Sequence, residues 1–126
     1  MQHFAADCQR TESSIAIITA EPTDYSSFAV FYTVAIGQLL RDWWDVDPNT
    51  VAEIEDHTKA LARTGITTDE LLQAAESLLK ITPINDYNFS RPEIAEAFNI
   101  RNEWNFREYG WIGDTEFGLL AWETSA

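Results

Sequence analysis

An apolar stretch in the N-terminal half of the chain most constrains how this sequence can fold. It runs from Asp24 to Asp47 and reads DYSSFAVFYTVAIGQLLRDWWDVD. Its large apolar side chains point in almost every direction around a helix of 3.6 residues per turn, so no face is polar enough to lie in water. We therefore predict a buried central helix with the rest of the chain packed around it, and we expect Phe31 and Leu39 to be fully buried.

Two further helices are predicted directly after the central one. Asp47 and Pro48 are a capping acid followed by a proline suited to the first helical turn, and they start a second helix at about 49–64. The segment Thr67–Glu70 is a capping box, and it starts a third helix at about 68–81. Both helices are expected to pack an apolar stripe against the central helix.

A fourth helix is predicted near residue 100. Ser90 and Glu93 have the spacing of a capping box, and the apolar residues that follow, as far as Ile100, recur at helical intervals. After Asn102 the chain is rich in aromatic residues and glycine, and its periodicity selects neither helix nor strand. A turn is predicted at Gly113-Asp114 between two short extended pieces.

The β-branched run Ser14–Ala20 predicts a short strand, and the best partner for it is the apolar run Phe117–Glu123. Residues 1–13 are polar, and we expect them to be a flexible N-terminus. The predicted fold is therefore mainly α, with α+β as the alternative. It is one domain over residues 14–126, a compact bundle of about four helices with a small strand pair formed by the two ends of the chain.

The charge balance restricts the partners that such a domain could bind. The chain has 21 acidic and 8 basic residues, a formal net charge of −13. This charge repels nucleic acids and anionic membranes and attracts basic surfaces. The interpretation is a protein that binds neither nucleic acid nor membrane directly but could bind a basic protein surface. A solvated acidic surface without a partner is the plain alternative.

The expected location is the cytoplasm. The single cysteine, Cys8, has no partner in the chain for a disulfide, which is typical of proteins in a reducing compartment. The N-terminal residues lack the basic start and the apolar run of a signal peptide. The apolar segment 25–40 is shorter than the ~20 residues that span a bilayer.

The candidate binding residues form an acidic cluster and an aromatic group. Six acids in fifteen residues surround two tryptophans without any base among them, and the aromatic C-terminal segment around Trp104, Tyr109 and Trp111 is the second candidate. Carboxylates attract a basic partner and an exposed tryptophan can anchor it. The predicted partner-binding residues are Asp42, Trp43, Trp44, Asp45, Asp47, Glu53, Glu55, Asp56, Trp104, Tyr109 and Trp111.

These features favour a non-catalytic acidic binding module, most specifically an inhibitor or decoy that mimics nucleic acid. Duplex DNA presents about one charge per 1.7 Å, and acids on neighbouring helices could imitate that spacing. Small acidic phage and mobile-element proteins that block nucleases or CRISPR complexes act in this way, and the likeness here is one of size and charge. A structural or assembly protein of a larger complex is an alternative.

A second alternative is a degenerate calcium-binding protein. Asp45, Asp47, Asn49, Glu53 and Asp56 occupy positions 1, 3, 5, 9 and 12 of an EF-hand-like loop, and a second partial match begins at residue 86. The sequence departs from the EF-hand pattern in two ways. Neither loop has the glycine that makes the sharp turn, and neither has the bidentate glutamate that closes the site.

No catalytic site is predicted. The chain has two histidines, His3 and His57, and no phosphate-binding loop, nucleophile elbow or His/Cys metal motif. The apolar neighbours of His57 favour a structural histidine. We therefore expect a protein that is not an enzyme and that needs no cofactor.

Overall fold

The computed structural model describes residues 1–44, 64–85 and 93–125, and over these ranges the chain is built on one six-stranded sheet. Two helices accompany the sheet, together with one turn of 3-10 helix at Pro22–Asp24. The prediction of a mainly α bundle of about four helices is therefore wrong. The elements are β1 (Gln2–Cys8), β2 (Ser13–Ala20), α1 (Phe28–Trp44), β3 (Thr64–Ile66), α2 (Thr68–Ile81), β4 (Ile94–Asn102), β5 (Phe106–Gly113) and β6 (Phe117–Thr124).

The strands lie in the order β1-β2-β6-β5-β4-β3, and every neighbouring pair is antiparallel. The predicted pairing of the two ends of the chain is confirmed, since β2 pairs with β6 and Ile17 faces Leu120 across the strands. The turn at Gly113-Asp114 is also confirmed: the Gly113 amide donates to the Glu116 carbonyl at 2.8 Å. Residues 1–13 contain the edge strand β1, and their mobility stays a prediction.

Helix α1 covers one face of the sheet, which we call the α1 face. Phe31 and Leu39 are completely buried there, as predicted, against alternate residues of β2 and β6 such as Ile18 and Leu119. The helix is nevertheless not the centre of a bundle. Val30 and Val34 on its outer side remain 43% exposed, because the sheet supplies most of the apolar surface that the helix needs.

Helix α2 covers the opposite face, which we call the α2 face. The predicted helix at 68–81 is confirmed together with its capping box. The Glu70 amide donates to the Thr67 hydroxyl at 3.1 Å, and the Thr67 amide donates to the Glu70 carboxylate at 3.2 Å. Leu71, Ala75 and Leu78 pack on the other set of alternate strand residues. Because both faces are covered, β2 is buried at every position from residue 15 to residue 20 instead of alternating between buried and exposed.

The predicted fourth helix is wrong, because residues 94–102 form strand β4 between β3 and β5. Ala97 and Ile100 have the i, i+3 spacing of a helical stripe. In the strand they lie in different core clusters, Ala97 on the α2 face and Ile100 on the α1 face. The predicted second helix lies almost wholly outside the described residues, and its last residue, Thr64, together with its expected cap, Gly65, belongs to β3.

Each face of the sheet contains one glycine under an aromatic ring. Gly118 of β6 pairs with Trp111 of β5, and a β-carbon at Gly118 would occupy the position of the indole ring on the α2 face. Gly110 lies under the far end of the Phe28 ring on the α1 face. The absence of a side chain at these two positions lets a large ring lie flat on the sheet.

Neither of the two described helices has the length and hydropathy that a bilayer crossing requires.

Candidate functional site

The turn between β4 and β5 presents a tryptophan to solvent. The Glu103 amide donates to the Phe106 carbonyl at 2.9 Å, and the Phe106 amide donates back at 3.4 Å, which leaves Trp104 and Asn105 as a two-residue turn. Trp104 is 69% exposed, the highest value among the large apolar residues that the structure describes. An indole held in water at the tip of a tight turn is typical of an interaction anchor.

Backbone hydrogen bonds bring this turn and the β1–β2 turn together at the end of β6. The Thr124 amide donates to the Asn105 carbonyl, and the Ser125 amide donates to the Glu12 carbonyl, both at 3.0 Å. We call this end of the sheet the turn edge, and it consists of residues 9–12, 103–105 and 123–125. These ranges contain three acids, Glu12, Glu103 and Glu123, and one base, Arg10.

Helix α1 ends close to the turn edge. The Trp43 ring packs edge-on against the ring of Phe106, with centroids 6.3 Å apart, and Asp42 beside it has a half-exposed side chain. Trp44 is the last residue of the helix. The other acids of the predicted cluster, Asp45, Asp47, Glu53, Glu55 and Asp56, lie outside the described residues, as does the first EF-hand-like loop. Of the second EF-hand-like loop, residues 93–97 are described, and residues 94–97 belong to strand β4.

The remaining predicted aromatic residues belong to the core. Tyr109 and Trp111 are 7% and 0% exposed and pack on the α2 face, where the Trp111 indole donates to the Glu116 carboxylate at 2.8 Å. Of the three C-terminal aromatic residues, the structure therefore leaves Trp104 accessible.

A buried carboxylate lies on the α1 face beneath the turn edge, and the sequence predictions did not include it. Glu108 of β5 is fully buried, and its Oε1 atom accepts a hydrogen bond of 2.9 Å from the Tyr32 hydroxyl of α1. The Nε atom of Arg101 on β4 lies 3.4 Å from the other carboxylate oxygen, Oε2. We call these three residues the Glu108 trio, in which Tyr32 and Glu108 are buried and Arg101 is partly exposed. They join one helix and two strands.

A β-bulge places Arg101 in the trio. Asn99 faces Tyr109 and Arg101 faces Glu108, so Ile100 is an extra residue in β4. In regular alternation Arg101 would point to the α2 face. The bulge turns it to the α1 face, where its guanidinium lies over the Phe106 ring, 5.5 Å from the centroid.

Burial dominates the electrostatics of the trio. Removal from water raises the pKa of Glu108 to about 7, while the Tyr32 hydrogen bond and the positive charge of Arg101 act to lower this pKa and Glu103 adds to the increase. Burial also raises the pKa of Tyr32, and the neighbouring Glu108 raises it further. Tyr32 therefore remains a protonated donor throughout the neutral range.

The enclosure of the trio restricts its chemistry. Tyr32 and Glu108 are both 0% exposed, so in this conformation neither can touch a substrate. Glu108 can bind or release a proton, and the resulting change of charge alters its contacts with Tyr32 and Arg101. The sequence contains one indication of this buried carboxylate. In FREYGWIG, the alternation of a strand places Glu108 on the same face as the apolar residues Phe106 and Ile112.

A surface cavity of about 500 Å³ lies at the opposite end of the sheet, and its lining includes three acids, Glu21, Asp24 and Glu116, and no base. Within the described ranges no three His, Cys, Asp or Glu side chains are arranged to hold a metal ion. His3 contacts Gln38 and Asp42 of α1 through its Nδ1 atom, at 3.1 and 3.7 Å. That contact joins the edge strand β1 to the helix.

No protein-family model matches the chain, and neither a curated protein nor a solved structure is significantly similar to it.

Proposed function

We propose that this protein is a non-catalytic acidic binding module whose turn edge docks on a basic surface of a partner protein, with Trp104 as the anchor. The observation that carries the proposal is the 69% exposure of Trp104 at a tight turn in a chain with a net charge of −13. A large apolar side chain exposed at a fixed position fits a partner pocket without loss of turn conformation.

The charge and the anchor contribute differently to such a complex. Long-range attraction by the acidic surface increases the rate of encounter with a basic partner, and salt screens it over about 8–10 Å. Burial of the indole against the partner slows dissociation, because tryptophan side chains supply much of the binding energy at interfaces. Binding should therefore depend on salt mainly through association and on Trp104 mainly through dissociation.

The more specific form of the proposal is an inhibitor or decoy that occupies a nucleic-acid-binding surface, of the kind that phages and mobile elements use against host defence. Its support is the size and charge of the chain. Mimicry by several acidic helices side by side is not part of this form, because the described fold is a sheet. We place this function in the cytoplasm, to which the single free Cys8 is suited.

The test compares two charge reversals of equal size at opposite ends of the sheet. Glu12→Lys with Glu103→Lys changes the turn edge, and Glu93→Lys with Asp114→Lys changes the far end. All four of these side chains are exposed. Each variant, and the wild-type chain, is immobilised and exposed to a cell extract at low salt. We expect the wild type and the far-end variant to retain the same partner and the turn-edge variant to lose it.

Rates measured on the captured partner complete the test. The turn-edge reversal should slow association about tenfold at low salt and much less at high salt, whereas Trp104→Ala should speed dissociation by about tenfold or more. Duplex DNA should displace the protein from a partner that binds nucleic acid. Equal capture by the two reversed variants, or an unchanged complex with Trp104→Ala, would refute the turn edge as the binding surface.

A further inference from the structure

The carboxylate of Glu108 fastens the β4–β5 turn to helix α1. One of its oxygens accepts the Tyr32 hydrogen bond from α1, and the Glu108 side chain faces Arg101 across the strands. The Arg101 guanidinium in turn lies over the ring of Phe106. Phe106 closes the turn that carries Trp104, and its ring also packs against Trp43 of α1. The Glu108 contacts therefore act together with the Trp43–Phe106 packing to hold the turn against α1.

One oxygen atom of this carboxylate accepts no hydrogen bond. The Oε2 atom is buried and has no hydrogen-bond partner, because Arg101 approaches it without the geometry of a hydrogen bond. A buried polar atom without a partner is destabilising, and the penalty is much larger for an ionised group than for a neutral one. Separation of the helix and the turn would admit water to Oε2 and so relieve this penalty.

We propose that the protonation state of Glu108 controls the contact between the β4–β5 turn and α1. The protonated side chain holds the turn against the helix, and the ionised side chain loosens this contact. The inference stands on the geometry of the trio. Its consequence for binding, a Trp104 turn that is rigid in mildly acidic conditions and looser in alkaline conditions, rests on the function proposed above.

The charged groups around Glu108 set the direction of the response. The charged groups are Arg101 from β4 and Glu103 from the turn. The neutral Tyr32 hydroxyl faces Glu108 from α1, and β6 contributes Ala121 opposite Glu108. Burial raises the pKa of Glu108 from its ordinary 4.5 to about 7. Since an exposed carboxyl ionises near the lower value, opening of the turn should become progressively easier between these two pH values and change little above pH 7.

Amide hydrogen exchange at pH 5.5 and 7.5, corrected for the pH dependence of the intrinsic exchange rate, tests this without any partner. In the wild type, protection of the turn and of α1 should fall about tenfold or more over this interval, since one unit of pKa shift corresponds to tenfold. Glu108→Gln should abolish the change. Glu96→Gln, which removes an exposed acid of the same hairpin, should retain it.

Two neighbouring substitutions test the origin of the response even if Glu108→Gln does not fold. Tyr32→Phe removes a hydrogen bond that lowers the Glu108 pKa, so the midpoint of the protection profile should move to higher pH. Glu103→Gln removes a repulsive charge, so the midpoint should move to lower pH. Shifts in these opposite directions are expected of a titrating Glu108 and not of general loosening.

Three results would overturn the inference: wild-type protection that is independent of pH, the same change in Glu108→Gln, or an equal change in the β1–β2 hairpin, which would indicate global unfolding. None of these results depends on a partner. The capture experiment could therefore refute the proposed function while hydrogen exchange confirms the role of Glu108. Equally, the proposed function could be supported while the role of Glu108 is refuted.

Discussion

The two faces of the sheet are similar in apolar content but differ in the polar groups that they bury. The α1 face holds the trio of buried Tyr32, buried Glu108 and partly exposed Arg101. The α2 face encloses a chain of neutral donors: the Ser13 and Thr82 hydroxyls lie 2.6 Å apart, and the Trp122 indole donates to Thr82 at 3.1 Å. The Glu108 carboxylate on the α1 face has one oxygen that accepts no hydrogen bond, whereas the Ser13 and Thr82 hydroxyls on the α2 face are hydrogen-bonded to each other.

This difference predicts that the polar network of the α2 face is insensitive to pH and that the network of the α1 face changes with pH. Neutral hydroxyls keep their hydrogen bonds at any pH near neutrality, so the α2 face should behave as a fixed support for the sheet. A buried carboxylate changes charge in the physiological range when burial raises its pKa. The α1 face also borders the turn that carries Trp104, so the responsive network lies beneath the candidate binding surface.

The largest loss of stability is expected from substitution of Gly118, on which the Trp111 ring lies on the α2 face. Gly118→Ala would place a methyl group inside the space of the Trp111 ring, and we expect a loss of about 3 kcal/mol in urea unfolding. Gly110→Ala is the matched change on the α1 face, where the methyl group meets the far end of Phe28, and should lose about 1–2 kcal/mol. Equal losses would show that the two faces tolerate crowding alike.

The second prediction concerns the pH dependence of stability on the α1 face. The folded pKa of Glu108 is raised to about 7, above its ordinary 4.5, so the folded state binds the proton more tightly. The stability that this contributes is fully present below pH 4.5 and is lost as pH rises to about 7. At pH 8, Glu108→Gln should be more stable than the wild type by at most about 3 kcal/mol, and at pH 5 the two should be similar.

Unfolding of both proteins in urea at pH 5, 6, 7 and 8 measures this difference. Comparison with Glu108→Gln is needed because the net charge of −13 also makes the chain less stable as its many acids ionise. A constant difference between the two proteins across this range would show that Glu108 does not titrate there.

The third prediction is the counterpart on the α2 face. Thr82→Val keeps the shape of the side chain but leaves the Trp122 indole and the Ser13 hydroxyl without this partner. We expect a loss of about 2 kcal/mol, the same at pH 5 and pH 8 because no charge is involved. Thr115→Val, at an exposed position, serves as the control and should have little effect. A pH-dependent loss in Thr82→Val would remove the contrast between the faces.

The smallest effect is expected at the β1–β2 turn. Glu12 has a φ of 48°, in the left-handed region that favours glycine. Glu12→Gly should stabilise the protein by about 0.5 kcal/mol. Glycine relieves the backbone strain at this position, and the entropy that it adds to the unfolded chain offsets part of this gain. Arg10→Gly in the same turn, at a residue without positive φ, should destabilise by a similar amount. Neither change should alter the pH profile that distinguishes the two faces.

Local signals in the sequence were sufficient for some elements. The capping box at Thr67 and Glu70 fixed the start of α2, because its hydrogen bonds join residues three apart and need no other part of the chain. The β-branched run in β2 and its C-terminal partner were recognised because both are apolar and the chain offers few comparable runs. Trp104 was among the predicted binding residues through its residue type alone.

Other elements depended on partners distant in sequence. The residues of β4 combine helix-like spacing with a capping signal, and they become a strand because β3 and β5 supply hydrogen bonds on both sides. The apolar residues of α1 indicated a buried helix correctly. They could not show that a sheet, and not other helices, would cover them, because both surfaces are apolar and an apolar pattern does not identify its partner.

By itself, the sequence determined the positions of α1 and α2, the pairing of the two ends of the chain and the acidic character of the surface, since these follow from spacing, capping and charge within short segments. The tertiary structure alone decided that Glu108 is buried beside Tyr32, 76 residues away, and that a bulge brings Arg101 to the same face. The reason is that the pKa of a carboxylate and the exposure of an indole depend on which distant residues exclude water from them, and only the packed sheet fixes those neighbours.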